Sequence, residues 1–311
     1  MIEINGLNKK FGNFTALNDL CLTVNTGELF GFVGANGAGK TTTMRICVGL
    51  ETCDSGSVKI DGTEIIQKKG TRAFSEKVGF VPDFFGVYDN LTTNEYLKFF
   101  AGTYGIWGKT ADTLVSGLLE LVNLTDKKDF QVNSLSRGMK QRMSLARALV
   151  SNPDILFLDE PASGLDPKAR HELKEILKNL TSMGKTIIIS SHILPELIEM
   201  CTTIGIISHG HMRFVGSARD ASMLSEGGEK LEIVVNCDPA LVLPILLENP
   251  IIKHAEYTGN TIKALSEGEQ SDYAALLKSL VMRDIPVVSY SKIMENVEDI
   301  LLNIMEGDKN D

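Results

Sequence analysis

The sequence lacks any apolar run that approaches the ~18 residues of a membrane span, so no segment reads as crossing a bilayer. Its start, Met1-Ile2-Glu3-Ile4-Asn5, has neither a basic stretch nor an apolar one, and no secretory leader is expected. Aromatic residues are scarce at 6%, with one tryptophan, and a basic excess is missing: 40 acids face 31 bases, for a net charge of −9. That balance argues against a nucleic-acid partner, which usually requires a basic footprint. The five cysteines, Cys21, Cys47, Cys53, Cys201 and Cys237, form no C-x-x-C pair and no zinc spacing with histidine. Reduced thiols are the simplest reading. What is present is a chain of 311 residues, 43% apolar, which is enough for a real core and is a soft indication of two domains.

The first part reads as short strands and turns: Ile2 to Ile4 before a turn at Gly6, then Ala16 to Val24. Glu28 to Val33 is a buried-type strand that runs into Gly34-Ala35-Asn36-Gly37-Ala38-Gly39-Lys40-Thr41, and helical spacing follows from Thr42 to Leu50. Ser57 to Ile60 is a further strand. Residues Leu91 to Lys128 are helix-rich, with Tyr96, Leu97, Leu118 and Leu119 on apolar stripes, and Gln141 to Val150 reads as another helix. Asp154 to Leu158 and Thr186 to Ser190 read as strands, Lys168 to Leu180 and Pro195 to Met200 as helices. Ile204 to Ile207 and Met212 to Val215 form a hairpin around Gly210. Such alternation predicts an α/β domain with a mainly parallel sheet and an inserted helical subdomain. After a polar, glycine-rich stretch at Ser225-Glu226-Gly227-Gly228-Glu229 the order is βαββαβ, that of a small α+β ferredoxin-like domain, closed by a helix from Val297 to Met305.

Gly34-x-x-x-x-Gly39-Lys40-Thr41 has the P-loop pattern. Ordinary glycine frequency yields it in roughly 1 of 100 chains this long, and the strand before and the helix after make chance rarer. Its glycines let backbone N–H groups wrap a phosphate, and the following helix presents its positive end. Lys40 is placed for the β/γ-oxygens of a nucleoside triphosphate, and the Thr41 hydroxyl is placed for Mg²⁺. Asp159-Glu160 ends the strand Ile155 to Leu158 in a Walker-B arrangement. Asp159 belongs behind the Mg²⁺, and Glu160 is the candidate general base for an attacking water.

With these and Leu135-Ser136-Arg137-Gly138-Met139-Lys140-Gln141-Arg142, Met1 to Arg219 resembles the ATP-binding subunit of ABC transporters, of the drug, antibiotic, ion or lipid exporter type. On the residues alone, Ser136 is a helix N-cap and Arg142 a surface cation. The resemblance implies instead that Ser136 and Gly138 close over the ATP of a second cassette in a head-to-tail dimer. It places Phe11 against adenine, makes Ser163-Gly164-Leu165-Asp166 the D-loop that crosses the dimer, and makes His192 the switch histidine facing the γ-phosphate. His171, His209, His211 and His254 receive no such role. Two positions depart from the family. Asp83, in Gly79-Phe80-Val81-Pro82-Asp83, stands where glutamine usually touches the metal, and Met139 replaces a glutamine of the signature.

The implied fold is a P-loop cassette with a RecA-like mixed-sheet core over residues 1–224, a helical subdomain over about residues 88–150, and an accessory domain over 229–311. The implied function is ATP binding and hydrolysis, with ATP and Mg²⁺, driving a separate transmembrane permease for export. That places the chain on the cytoplasmic side of the membrane. The permease contact is expected near Asp83 to Tyr88 and the helical region after it. A homodimer is the expected form, although a different second chain stays open. The competing reading is a soluble ABC-type ATPase acting on the ribosome or DNA. Ribosomal members usually carry two cassettes, and DNA-repair members insert a long coiled coil that has no counterpart here. A GTPase is disfavoured because Asn8-Lys9-Lys10-Phe11 is not the guanine-reading Asn-Lys-x-Asp.

Overall fold

A computed structural model describes residues 1–65, 76–83, 86, 90–224, 229–268 and 270–293. The predicted helix from Val297 to Met305, the stretch from Ser225 to Gly228, and most of Phe84 to Tyr88 lie outside the described residues. The chain forms two compact units, Met1–Ala221 and Ser222–Asp311.

The first unit holds two sheets. One is antiparallel, in the order β2-β1-β4-β5, built from β1 (Ile2–Phe11), β2 (Phe14–Val24), β4 (Ser55–Ile60) and β5 (Thr63–Glu64). The expected turn at Gly6 is a correction. Gly6 lies inside the ten-residue strand β1, where its φ of 56° accompanies a register shift between Ile4 and Leu7. A left-handed glycine in a strand marks a bulge as readily as a turn.

The second sheet has six strands in the order β10-β9-β3-β8-β7-β6. These are β3 (Leu29–Val33), β6 (Val78–Val81), β7 (Ile155–Leu158), β8 (Thr186–Ser191), β9 (Thr203–Ser208) and β10 (His211–Ser217). All pairs are parallel except β9 with β10. Every residue of β3, β7 and β8 is buried, as continuous apolar strands covered on both faces must be. The register sets Val33 beside Ser191, Leu158 beside Ile189 and Val81 beside Leu158. Strands β3 and β8 therefore end together, β6 and β7 end together two residues earlier, and the residues that follow all four emerge along one edge, where open parallel sheets bind ligands.

Helix α1 (Lys40–Cys47) leaves that edge directly from the glycine loop and shares one core with both sheets through Met44, Ile46 and Cys47. It ends three residues before the predicted Leu50, because Gly49 adopts a φ of 76° and Leu50 N–H bonds back to Arg45 O at 2.8 Å. Burial pushes the Cys47 thiol up to about 12 and raises that of Cys201 too, so neither is a ready nucleophile.

The helical region comprises α2 (Thr93–Thr103), with a Thr92–Glu95 capping box, α3 (Gly108–Leu121) and α4 (Arg137–Ala148). Helix α4 starts four residues earlier than the apolar spacing indicates, because the Ser136 hydroxyl caps it by accepting from Met139 N–H. Helices α5 (Pro167–Ser182), α6 (Leu194–Ile198) and α7 (Ala218–Leu224) complete the fold. Arg142 is no surface cation, being only 6% exposed. Its guanidinium donates to the carbonyls of Val122 (3.0 Å) and Asn123 (3.1 Å) just beyond α3, and pairs with Glu172 of α5 at 3.1 Å.

The second unit has the predicted βαββαβ order: β11 (Glu229–Val235), α8 (Pro239–Leu247), β12 (Ile252–Thr258), β13 (Thr261–Ser266), α9 (Gln270–Met282) and β14 (Val287–Ile293). Its sheet order, β12-β13-β11-β14 with all neighbours antiparallel, is the split arrangement expected of a ferredoxin-like domain. Leu231, Ile233, Val242, Leu246, Ile262 and Leu276 form its core.

Replacing Arg142 strands two carbonyls and the Glu172 carboxylate. Arg142→Met is expected to cost about 2–4 kcal/mol of unfolding free energy by urea denaturation. An unchanged midpoint would show that the three contacts add nothing.

Candidate active site

These strand ends open onto a cavity of about 720 Å³, a volume typical of small-molecule sites. Phe11, Asn36, Gly37, Gly39, Lys40, Thr41, Thr42, Asp83, Asp159 and Glu160 line it, ten of the residues singled out from sequence. Phe14, Ala16, Arg45, Phe80 and Pro82 join them without having been foreseen. Phe14 faces Phe11 across the β1–β2 hairpin, a pairing that only the strand register reveals.

The loop has the geometry of an anion cradle. Gly37 and Gly39 adopt φ values of 83° and 113°. A side-chain carbon on Gly39 would stand 2.8 Å from Ala16 O, and one on Gly34 would stand 2.5 Å from Ile207 O. Buried Lys40 turns its ammonium to Gly34 O (2.5 Å) and Ala35 O (3.2 Å), with Glu160 Oε1 at 3.4 Å. Thr41 Oγ1 donates to Asp159 Oδ1 at 3.1 Å. A cradle that excludes side chains, one ammonium, and hard oxygens on Thr41 and Asp159 fit a triphosphate with a divalent cation.

Ser190 holds the two carboxylates in place. Its fully buried hydroxyl donates to Asp159 Oδ1 (2.8 Å) and accepts from Glu160 N–H (2.9 Å). The latter bond fixes Glu160 at a φ of 49°, a left-handed conformation that costs a non-glycine residue about 1–3 kcal/mol. Ser190 was missed as a site residue. The available signal was a hydroxyl at the end of an otherwise apolar strand, since buried polar groups need partners.

Glu160 Oε2 lies 2.9 Å from His192 Nδ1. An ionised carboxylate only accepts, which puts the ring proton on Nδ1 and leaves Nε2 for another partner. Glu160 Oε1 is buried and has no hydrogen bond among the described residues. Asp83 stands at the exposed rim. Partial desolvation, then the Asp159 and Glu160 carboxylates, raise its pKa, while Arg137 and His192 work in the opposite direction.

Phe11 is 46% exposed, and the Lys9 ammonium lies 4.8 Å above its ring while also pairing with Glu51 at 2.9 Å. Gly34, Ala38 and His192 border the site through the contacts of loop and strand without lining the cavity. Ser136, Gly138 and Asp166 do not line it either. Ser136 and Asp166 cap α4 and α5, and Gly138 packs so closely on α5 that a side chain there would meet Ala169 Cβ at 2.6 Å.

Residues 17–163 match the model of the family described as ABC transporter. The chain is 38% identical to the Nod factor export ATP-binding protein I of Burkholderia lata, over 84% of each chain. It is 33% identical to the protein of the same name from Ralstonia nicotianae, over 98% of this chain and 93% of that one. Among solved structures, it is similar to the ATP-binding subunit of an ABC transporter (28% identity, TM-score 0.63, covering 72% of this chain and 92% of the other). It is also similar to a dimeric ATP-binding cassette in a post-hydrolysis state bound to ADP and Pi (26% identity, TM-score 0.64, covering 70% and 99%).

Ser190→Ala leaves a buried carboxylate oxygen and a buried N–H without their shared partner. It is expected to lower the unfolding free energy by about 1–3 kcal/mol in urea. A midpoint equal to wild type would contradict this.

Proposed function

Because this chain belongs to the ABC transporter family as an ATP-binding subunit, we propose that its cavity is one half of a shared site in which Glu160 is the base that activates water against ATP. The observation that carries the proposal is Glu160 itself. One of its oxygens is held by His192 and the other is buried without a hydrogen bond among the described residues, beside the lysine of the glycine loop. ATP hydrolysis by this subunit is coupled to transport.

Each part then has a task. Lys40 exchanges its two loop carbonyls for phosphate oxygens, which leaves Glu160 Oε1 to accept a proton from water. Thr41 and Asp159 would hold Mg²⁺, which would neutralise charge on the phosphates. Phe11 stacks on adenine through the ring face that Lys9 leaves free, a contact worth about 1–3 kcal/mol by analogy with base stacking. Asp83, at the rim of the cavity, would face that metal. Ser136 and Gly138, which stand away from this chain's own cavity, serve the ATP of a second cassette, and Asp166 belongs to the segment that crosses between the two. A second copy of this chain is the simplest partner.

The motor acts on a separate permease, since among the described residues no helix is long and apolar enough to cross a membrane. The relatives named for Nod factor export support an exporter, with this subunit on the cytoplasmic face. Residues 1–224 would be the motor and 229–311 the accessory domain.

Glu160→Gln is expected to bind ATP normally and to lose at least about 100-fold in turnover, whereas Lys40→Ala should lose nucleotide binding. Wild-type hydrolysis in Glu160→Gln would remove this residue from the role of base. Asp83→Gln relieves repulsion among three acids at the mouth and should change turnover more than ATP affinity. Equal turnover in both versions, with the permease present, would contradict that role.

A further inference from the structure

Behind the cavity lies a second link between the moving parts of the site. Arg170, one turn into α5, directs Nη2 to Leu165 O of the D-loop at 3.4 Å and to Glu196 Oε1 at 3.0 Å. The Glu196 side chain is only 9% exposed, so this is not a solvated surface pair of little consequence. Removing Arg170, whose own side chain is 39% exposed, would leave the largely desolvated Glu196 carboxylate alone. Glu196 stands in α6, four residues after His192, and the connection is tight: Ile193 N–H donates to Ser191 Oγ at 3.0 Å, and α6 begins at the next residue.

The contacts therefore run without a break from the D-loop to the base. Leu165 is held by Arg170, Arg170 by Glu196, and Glu196 rides on the element that begins two residues past His192, whose ring holds Glu160 at 2.9 Å. The D-loop is also gripped from its other side. Gly164, at a φ of 65°, lies so close to the Arg137 guanidinium that a side-chain carbon would come within 2.7 Å of it. Arg170 Nε is buried with no acceptor among the described residues, so the guanidinium has a donor in reserve for a shifted grip on the same groups.

A bridge between α5 and α6 alone would need no more than the Arg170–Glu196 pair. The bond to Leu165 O adds the segment that, on the reading above, crosses to a second cassette. We propose that Arg170 and Glu196 are positioning residues that convey the placement of the D-loop to His192, and so set the His192–Glu160 contact according to whether a second cassette is docked. This rests on the roles given above to Glu160 and His192.

The test is a double-mutant cycle on the full chain, measuring steady-state ATP turnover, KM for ATP and thermal melting. Glu196→Gln and Arg170→Gln should each lower kcat about tenfold with KM near wild type; the melting midpoint should stay near wild type in Glu196→Gln and fall only in Arg170→Gln, which strands the Glu196 carboxylate, and the double variant should be no worse than the poorer single. In a His192→Ala background, Glu196→Gln should change nothing further, which a role confined to packing would not produce. Wild-type kcat in both single variants would overturn the proposal. So would losses that multiply in the double variant or persist in full without His192, or a loss in Glu196→Gln matched by a fall in melting temperature. Arg170→Lys, which keeps the charge but not the fork, guards against a misfolded variant: it should recover part of kcat, and no recovery in a folded protein would count against the bridge. Undiminished hydrolysis by Glu160→Gln would instead remove the underlying role of Glu160.

Discussion

The Ser190 hydroxyl, fully buried at the end of β8, bonds at once to the Asp159 carboxylate and the Glu160 backbone. Two adjacent acids at the end of one strand repel each other and would normally point apart to solvent. Here one is fixed behind Thr41 and the other is turned, through a left-handed backbone, toward Lys40 and His192. The parallel register makes this arrangement possible, because it ends β3 with β8, and β6 with β7 two residues earlier, along one edge. The phosphate loop, the Asp83 turn, the acid pair and the histidine therefore share one edge, although they come from segments spread over more than half of the sequence.

A second block stands apart from that edge. Gly138 packs on Ala169, Arg142 reaches Glu172, and Arg137 covers Gly164. These contacts join the signature helix α4 to the D-loop and to α5. Close packing transmits displacement rather than absorbing it, so Ser136 and Asp166 move with one body. In the proposed dimer that body closes over the ATP of the other cassette. The Arg170–Glu196 pair is then its return connection to the chemistry of its own chain.

Much of this was legible in the sequence. The loop from Gly34 to Thr41, Asp159-Glu160 and the alternation of strands and helices are local patterns with local causes, and the cavity brings most of the named residues together. The order βαββαβ of the second unit was equally readable from period and turns. What escaped depends on pairing between distant segments. Gly6 reads as a turn until the register of β1 shows a bulge. Arg142 reads as a surface cation until α3 and α5 close over it. Ser190 offers only a hydroxyl at a strand end, and Phe14 becomes a wall of the cavity only because it lies opposite Phe11. Ser136 carries a capping role in the same chain, and sequence alone cannot separate that from a role toward a second cassette.

The central claim is that each chain supplies half of an ATP site. Sedimentation of the full-length Glu160→Gln chain, with and without saturating ATP and Mg²⁺, tests it most directly. The account predicts the mass of one chain without nucleotide and of two chains with it. A single-chain mass with nucleotide bound would contradict the shared site.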